Sequence, residues 1–305
     1  MWPSRQAEKN MIAASLLHHA LCTRPLPGIL DGRAVETLAL QFVASIRREK
    51  YFELVQAKQI SPSRADPNSA HFDAERAIAY HMQQNNVNEA AWLVFLMTYF
   101  AKPKPTGWLR LRDIYGKQGA GIWDWQSVSA NPAAFVGWLT ANWQGIRGKF
   151  GNHRKYESLR PNAQRSMARV VTDYTTWIGP NGHQQFFSDI VRRSGNDPTV
   201  IFDTLYSEMN VVSFGRLAKF DYLSMIGRYR IAPIFAGSAY LDGATGPAKG
   251  ARLLFDGDRE GTTSTHDLQL FLNALDTDLQ VGMQVIEDAL CNWQKQPFVF
   301  EHFKG

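Results

Sequence analysis

The longest apolar run of the chain, AAWLVFLMTYFA at 90–101, is twelve residues long. A bilayer span takes about 20 residues, so this run is expected to be a helix buried on every side in a protein core. The segments around it carry helical periodicity. Val35, Leu38, Phe42, Val43 and Ile46 line one face of a helix that Asp31 can cap and that runs to about Tyr51 or Leu54. Asn10 to Leu21 forms a first helix, broken by Pro25, Pro27 and Gly28; His71 to Arg76 opens a third, and Asn88 is the expected cap of the buried one. Asn131-Pro132 starts another, carrying Phe135, Trp138, Leu139 and Trp143. Helices are also expected over 163–178, 183–193, 199–209, 265–275 and 280–293. No alternating β-branched run with hairpin turns occurs, and no repeat or heptad run. The fold class is therefore all-α, with about ten to twelve helices. The chain forms one domain over 1–305, or two helical lobes of about 1–150 and 151–305.

The 305 residues carry a formal charge of +5, compatible with DNA but not diagnostic of it. Cys22 and Cys291 form no CxxC pair, which excludes a disulfide framework and a zinc ribbon and suits a reducing cytoplasm. Residues 1–10 are polar and lack the apolar core of a secretory signal. A P-loop, GxGxxG, HExxH, GxSxG and the base-deaminase signature are all absent.

Ser213-Phe214-Gly215 reads as a tight turn in which Gly215 can take a positive φ. Leu217, Phe220, Leu223 and Ile226 then mark one face of a helix, and Gly227 is expected to stop it. Such a turn aims backbone N–H groups and a positive dipole end outward, towards phosphate. Arg216, Lys219, Arg228 and Arg230 add charge. The alternative is a helix, a glycine stop and a loop with no ligand.

The stretch resembles the hairpin of the helix-hairpin-helix DNA glycosylases. That resemblance aligns Gly237 with the family's aspartate and Leu217 with the lysine of its lyase members. Asp242 and Asp221 are the nearest carboxylates.

Three polar clusters add candidates. In FGNHRKYESL, at 150–159, Arg154 and Lys155 can contact phosphate, while Asn152 and His153 can read a base edge. The alternative is a solvated linker, anchored on the core by Phe150, Tyr156 and Leu159. His71, Asp73 and Glu75 match no closed metal-ligand set, and helix-start pairing with Arg76 is the simpler reading, so no metal is expected. Glu287 and Asp288 sit on the last helix and need partners if buried. Arg154 or Arg216 is the expected partner, the alternative being that the carboxylates hold a water for chemistry.

HFDAERAIAYH, NEAAWLVFLMTYFAK, FGNHRKYESL, FGRLAKFDYLSMIG, GSAYLDGATGPAKGARLLF and QVIEDALCNWQK together make the chain similar, from about 42 to 305, to the alpha-glutamyl/putrescinyl thymine pyrophosphorylase clade 3 family. The resemblance implies a glycosylase-like helical fold and work on a modified pyrimidine in double-stranded phage DNA. It also points to an anti-phage DNA glycosylase that looks like a member of the family and excises glucosylated hydroxymethylcytosine. On that reading Asp242, then Asp221, then Asp288 are the catalytic carboxylates. Gly215, Arg216, Lys219, Arg154 and Lys155 hold DNA, and Asn152, His153, Tyr156, Ser238 and Tyr240 form the base pocket. Water is the nucleophile, with no cofactor and no membrane partner. The alternatives are a transferase or pyrophosphorylase of thymine hypermodification, holding a diphosphate near Lys155 and the hairpin, and a DNA-binding module without catalysis.

Overall fold

The structure, a computed structural model, describes residues 2–302. The first residue and the end of the similarity at 303–305 lie outside the described residues. Fourteen α-helices and no strand occur among the described residues. They are α1 (Gln6–Cys22), α2 (Gly32–Gln56), α3 (Ala74–Gln83), α4 (Val87–Phe100), α5 (Leu109–Tyr115), α6 (Trp125–Ala130), α7 (Pro132–Asn142), α8 (Met167–Ile178), α9 (Gly182–Ser194), α10 (Pro198–Glu208), α11 (Arg216–Arg228), α12 (Gly246–Asp256), α13 (Thr265–Leu279) and α14 (Met283–Trp293). No helix among the described residues is long and apolar enough to cross a membrane.

Local chemistry sets the helix starts. Asp73, Asn86, Asp124, Asn131, Ser166, Asp197 and Ser264 each place a side-chain oxygen on a backbone N–H of the turn they open. Asn86, not Asn88, caps α4. Asn88 instead accepts from the Gln184 N–H at the start of α9, at 3.0 Å. Asp73 also pairs with Arg76 at 3.4 Å, and Glu75 pairs with Lys102 at 3.5 Å. No group of three His, Cys, Asp or Glu side chains among the described residues could hold a metal ion.

Helix α12 has no counterpart in the expectations. Its glycines and proline hide it from a periodicity argument, yet they are what let it pack: a Cβ on Gly250 would lie 2.4 Å from the Leu290 carbonyl of α14. The short α5 lies in the tryptophan- and glycine-rich stretch at 107–125, where a short helix and an irregular loop are expected, and α6 begins at the end of that stretch.

The helices form two compact units, Met1–Tyr51 with Ala236–Gly305, and Phe52–Phe235. The position 150/151 falls inside the second. In the first unit, α12 packs on α14 and α1 on α13, and the fully buried His19 meets Asp278 at 2.6 Å. In the second, α4 is the core. Residues 89–97 and 99–100 are all buried, and α3, α5, α6, α9 and α11 lie against it. Phe95 of α4 stacks on Tyr174 of α8 with ring centroids 3.7 Å apart. Tyr174 in turn hydrogen-bonds His183 at 2.6 Å and Tyr222 at 2.9 Å. A core this aromatic holds α8, α9 and α11 in fixed register.

Candidate functional site

Helices α10 and α11 are joined by residues 209–215. The turn closes when the Phe214 N–H donates to the Val211 carbonyl at 3.0 Å. Its left-handed residue is Ser213, at φ 68, and not Gly215, which sits at φ −76 in extended backbone as the N-cap of α11. The positive φ expected of Gly215 is thus carried by its neighbour. Nothing lies within 4 Å of a Cβ built on Gly215. Neither its backbone nor its packing requires glycine. The position faces open space, where a bare backbone permits close approach of a ligand.

Polar side chains brace the turn. Asp173 accepts from the Val212 N–H at 3.2 Å, and Arg165 reaches the Ser213 hydroxyl at 3.3 Å and Glu157 at 2.6 Å. Arg154 lies beneath, 6% exposed, with its guanidinium over the Phe214 ring at 4.9 Å. It donates to the Thr98 carbonyl at 3.2 Å and the Ser213 carbonyl at 2.9 Å, while Nη2 has no partner. Burial pulls this guanidinium below its ordinary range, against the opposing pull of Asp221. Arg154 is therefore an internal cation fixing the turn rather than a surface contact for phosphate. The neighbouring Asn152, His153 and Lys155 are exposed. Tyr156 is not a core anchor: it is 71% exposed, and Lys155 lies over its ring. Phe150 does anchor the stretch, stacked on Phe100 at 5.5 Å.

Asp221 projects from α11 beside this turn. It is open to solvent, yet enclosing protein raises its carboxyl above the ordinary carboxylate range. Arg154, His153, Arg228 and Arg216, in that order, oppose the rise. Among the described residues it makes no hydrogen bond and no salt bridge. A carboxylate set among four basic side chains, without a direct partner, is poised for a ligand or a proton.

The remaining predicted residues are placed elsewhere. Lys219 donates to the Tyr206 carbonyl of α10 at 3.0 Å, and burial lowers its ammonium. Leu217 is 37% exposed, off the buried face formed by Phe220, Leu223 and Ile226. Gly227 lies within α11 rather than after it. A Cβ there would meet the Ile234 carbonyl at 2.2 Å, so the glycine serves close packing.

Asp242, Ser238, Tyr240 and Asp288 belong to the other unit. Asp242 is exposed and accepts from the Thr265 hydroxyl at the start of α13. Ser238 donates to Gln269 at 2.9 Å and accepts from the Tyr240 N–H at 3.0 Å, which ties the loop to the same helix. Asp288 is engaged by Ser45, Arg48 and Asn292, where Arg154 or Arg216 was expected. Glu287 is buried. Sequence reasoning missed Arg165, Glu157 and Asp173. Each is an ordinary charged residue; Arg165 and Asp173 reach the turn from 48 and 39 positions away, and Glu157 acts only through Arg165.

Residues 33–305 match the family described as Alpha-glutamyl/putrescinyl thymine pyrophosphorylase clade 3. No curated protein and no solved structure matches the chain.

Proposed function

The chain belongs to the alpha-glutamyl/putrescinyl thymine pyrophosphorylase clade 3 family, and from that premise we propose that it is an enzyme of thymine modification in DNA that joins an amine to a thymine derivative as pyrophosphate departs. The observation that carries the reading is Asp221, solvent-open and without a direct partner among the described residues, set among Arg154, His153, Arg228 and Arg216.

That arrangement has two halves. Arg216, Arg228 and the start of α11 suit a diphosphate, whose charge grows as it leaves, while Arg154 stays beneath the turn. A carboxylate raised towards neutrality is a better proton acceptor than an ordinary one while it remains ionised. In the proposed step the amine nitrogen attacks the exocyclic methylene carbon bearing the diphosphate. The C–N bond forms, the C–O bond breaks, and the diphosphate leaves with the electron pair. Asp221 takes the proton released by the amine. Gly215, open in front, lets the DNA backbone come close.

A second reading, a DNA glycosylase, draws on the same hairpin. A carboxylate six positions after a bare glycine N-cap can face the sugar of an extruded nucleotide and stabilise its developing positive charge. Leu217 supplies no amine for a Schiff base, so this reading gives an abasic site without strand cleavage.

One assay separates the two. DNA carrying a diphosphorylated hydroxymethyluracil is incubated with glutamate or putrescine, and DNA carrying glucosylated hydroxymethylcytosine is incubated in parallel. Pyrophosphate release with a mass gain of the amine supports the first reading. Free base and an abasic site support the second. Asp221→Asn should reduce the observed reaction by about a hundredfold or more with substrate affinity nearly unchanged. An Asp221→Asn enzyme within a few-fold of wild type in both assays would remove Asp221 from the mechanism. Asp242→Asn, tested beside it, should retain most of the activity.

A further inference from the structure

A cavity of about 450 Å³ lies at the N-terminal end of α4, lined by Glu89, Tyr115, Asp124, Trp125 and His81 among others. Asp221 is not among its lining residues. Arg154 is held at Thr98, near the other end of α4, and the nine residues from Glu89 to Thr98 span about 14 Å of helix.

The ionisable groups that face the cavity are few. Glu89 is buried and accepts from the Tyr115 hydroxyl at 2.6 Å and the Trp125 N–H at 2.7 Å. Asp124, at the start of α6, is close enough to repel it. His81 of α3 has a buried Nε2 with no partner, and burial lowers its imidazole to about 4, so it is neutral at neutral pH. No Lys or Arg lines the cavity.

Three helix N-termini also approach it, and each is already capped. Asn86 caps α4, Asp124 caps α6, and Asn88 accepts from the Gln184 N–H of α9. One N–H of each is thus engaged, and an anion would also meet two carboxylates. A metal ion would need three ligating side chains, which are absent among the described residues. A neutral guest would leave the repulsion between the carboxylates unrelieved. An ammonium group relieves it and can also lie against Trp125 and Tyr115.

We propose that this cavity is a second ligand site, taking a small aliphatic primary amine as its ammonium ion between Glu89 and Asp124. The proposal does not rest on the reading of Asp221. Burial raises the Glu89 carboxyl to about 7, so proton and amine compete for it. Affinity should fall about tenfold per pH unit below 7 and stay level from there to the amine's own ionisation.

Calorimetric titration of the intact protein at pH 8 with n-butylamine, n-butanol and inorganic phosphate tests this. Saturable binding of butylamine, at least tenfold weaker binding of butanol and no binding of phosphate are expected. Glu89→Gln keeps an acceptor for the Trp125 N–H, and Asp124→Asn keeps a good helix cap. Each should weaken butylamine at least tenfold, and Glu89→Gln should flatten the pH profile. Asp221→Asn should bind butylamine like wild type, so failure here is distinguishable from failure of the Asp221 reading. Equal affinity for butanol, binding of phosphate, no saturable amine binding, or wild-type affinity in both cavity variants would each overturn the proposal.

Discussion

Buried imidazoles set how single residues respond to acid. His183 is fully buried against Trp125 and Tyr174, and burial lowers it to about 3; His81 is lowered to about 4. Both are lowered from an ordinary value of 6.5, so the unfolded chain takes up protons that the fold refuses. Their contribution to stability is present above pH 6.5 and is lost as pH falls towards 4. Glu89 works in the opposite sense. Its folded value of about 7 lies above the ordinary 4.5, so its contribution is present below 4.5 and lost as pH rises through 7. Urea unfolding at pH 5, 6.5 and 8 should therefore show a maximum near neutrality, with effects on the order of 1–3 kcal/mol per group. Glu89→Gln should stabilise the protein relative to wild type more at pH 8 than at pH 5. Equal effects at both values would show that the carboxyl is not held protonated by the fold.

Two glycines separate packing from approach at the scale of elements. In the first unit Gly250 lets α12 lie on α14, where an added Cβ would stand 2.4 Å from a backbone carbonyl. Backbone cannot step aside as a side-chain tip can, so Gly250→Ala should destabilise that pair by about 1–3 kcal/mol, read as a lower thermal midpoint. Gly215 is the contrasting case, with ordinary φ and open space. Gly215→Ala should leave the thermal midpoint within a degree or so, since exposed substitutions of this kind stay within about 0.5 kcal/mol. Its DNA affinity, measured by fluorescence anisotropy, should nevertheless fall if a phosphate backbone closes on that position. Unchanged affinity would place the nucleic acid elsewhere.

Over the whole molecule, a net charge of +5 is modest, so attraction to a polyanion depends on where the cations stand. Lys155 is exposed, whereas Arg154 is enclosed and Lys219 is tied to Tyr206. Lys155→Ala should lower the salt slope of DNA binding by about one unit. Lys219→Ala should change that slope little and act on stability instead. A salt-independent affinity in the wild type would argue against a nucleic-acid substrate.

The sequence by itself determined the helical class and the buried centre. Periodicity and capping are local properties, and a twelve-residue run such as 90–101 leaves no exposed face to choose. It also placed the polar stretch at 150–159 and the turn before α11 among the sites of interest. Helix α12 stayed hidden because glycine lowers helix propensity, and the reason for its glycines lies on α14. Only tertiary structure distinguishes the surroundings of Asp242 from those of Asp221. Both are aspartates near glycine turns in the sequence; one is held by Thr265, and the other stands beside four basic residues drawn from 153–154, 216 and 228. Glu89 reads in the sequence as an ordinary first-turn acid. Burial beneath Tyr115 and Trp125, 26 and 36 positions away, gives it its chemistry. Charge and solvation are set by what surrounds a group in space, and that is fixed only when distant segments have packed together.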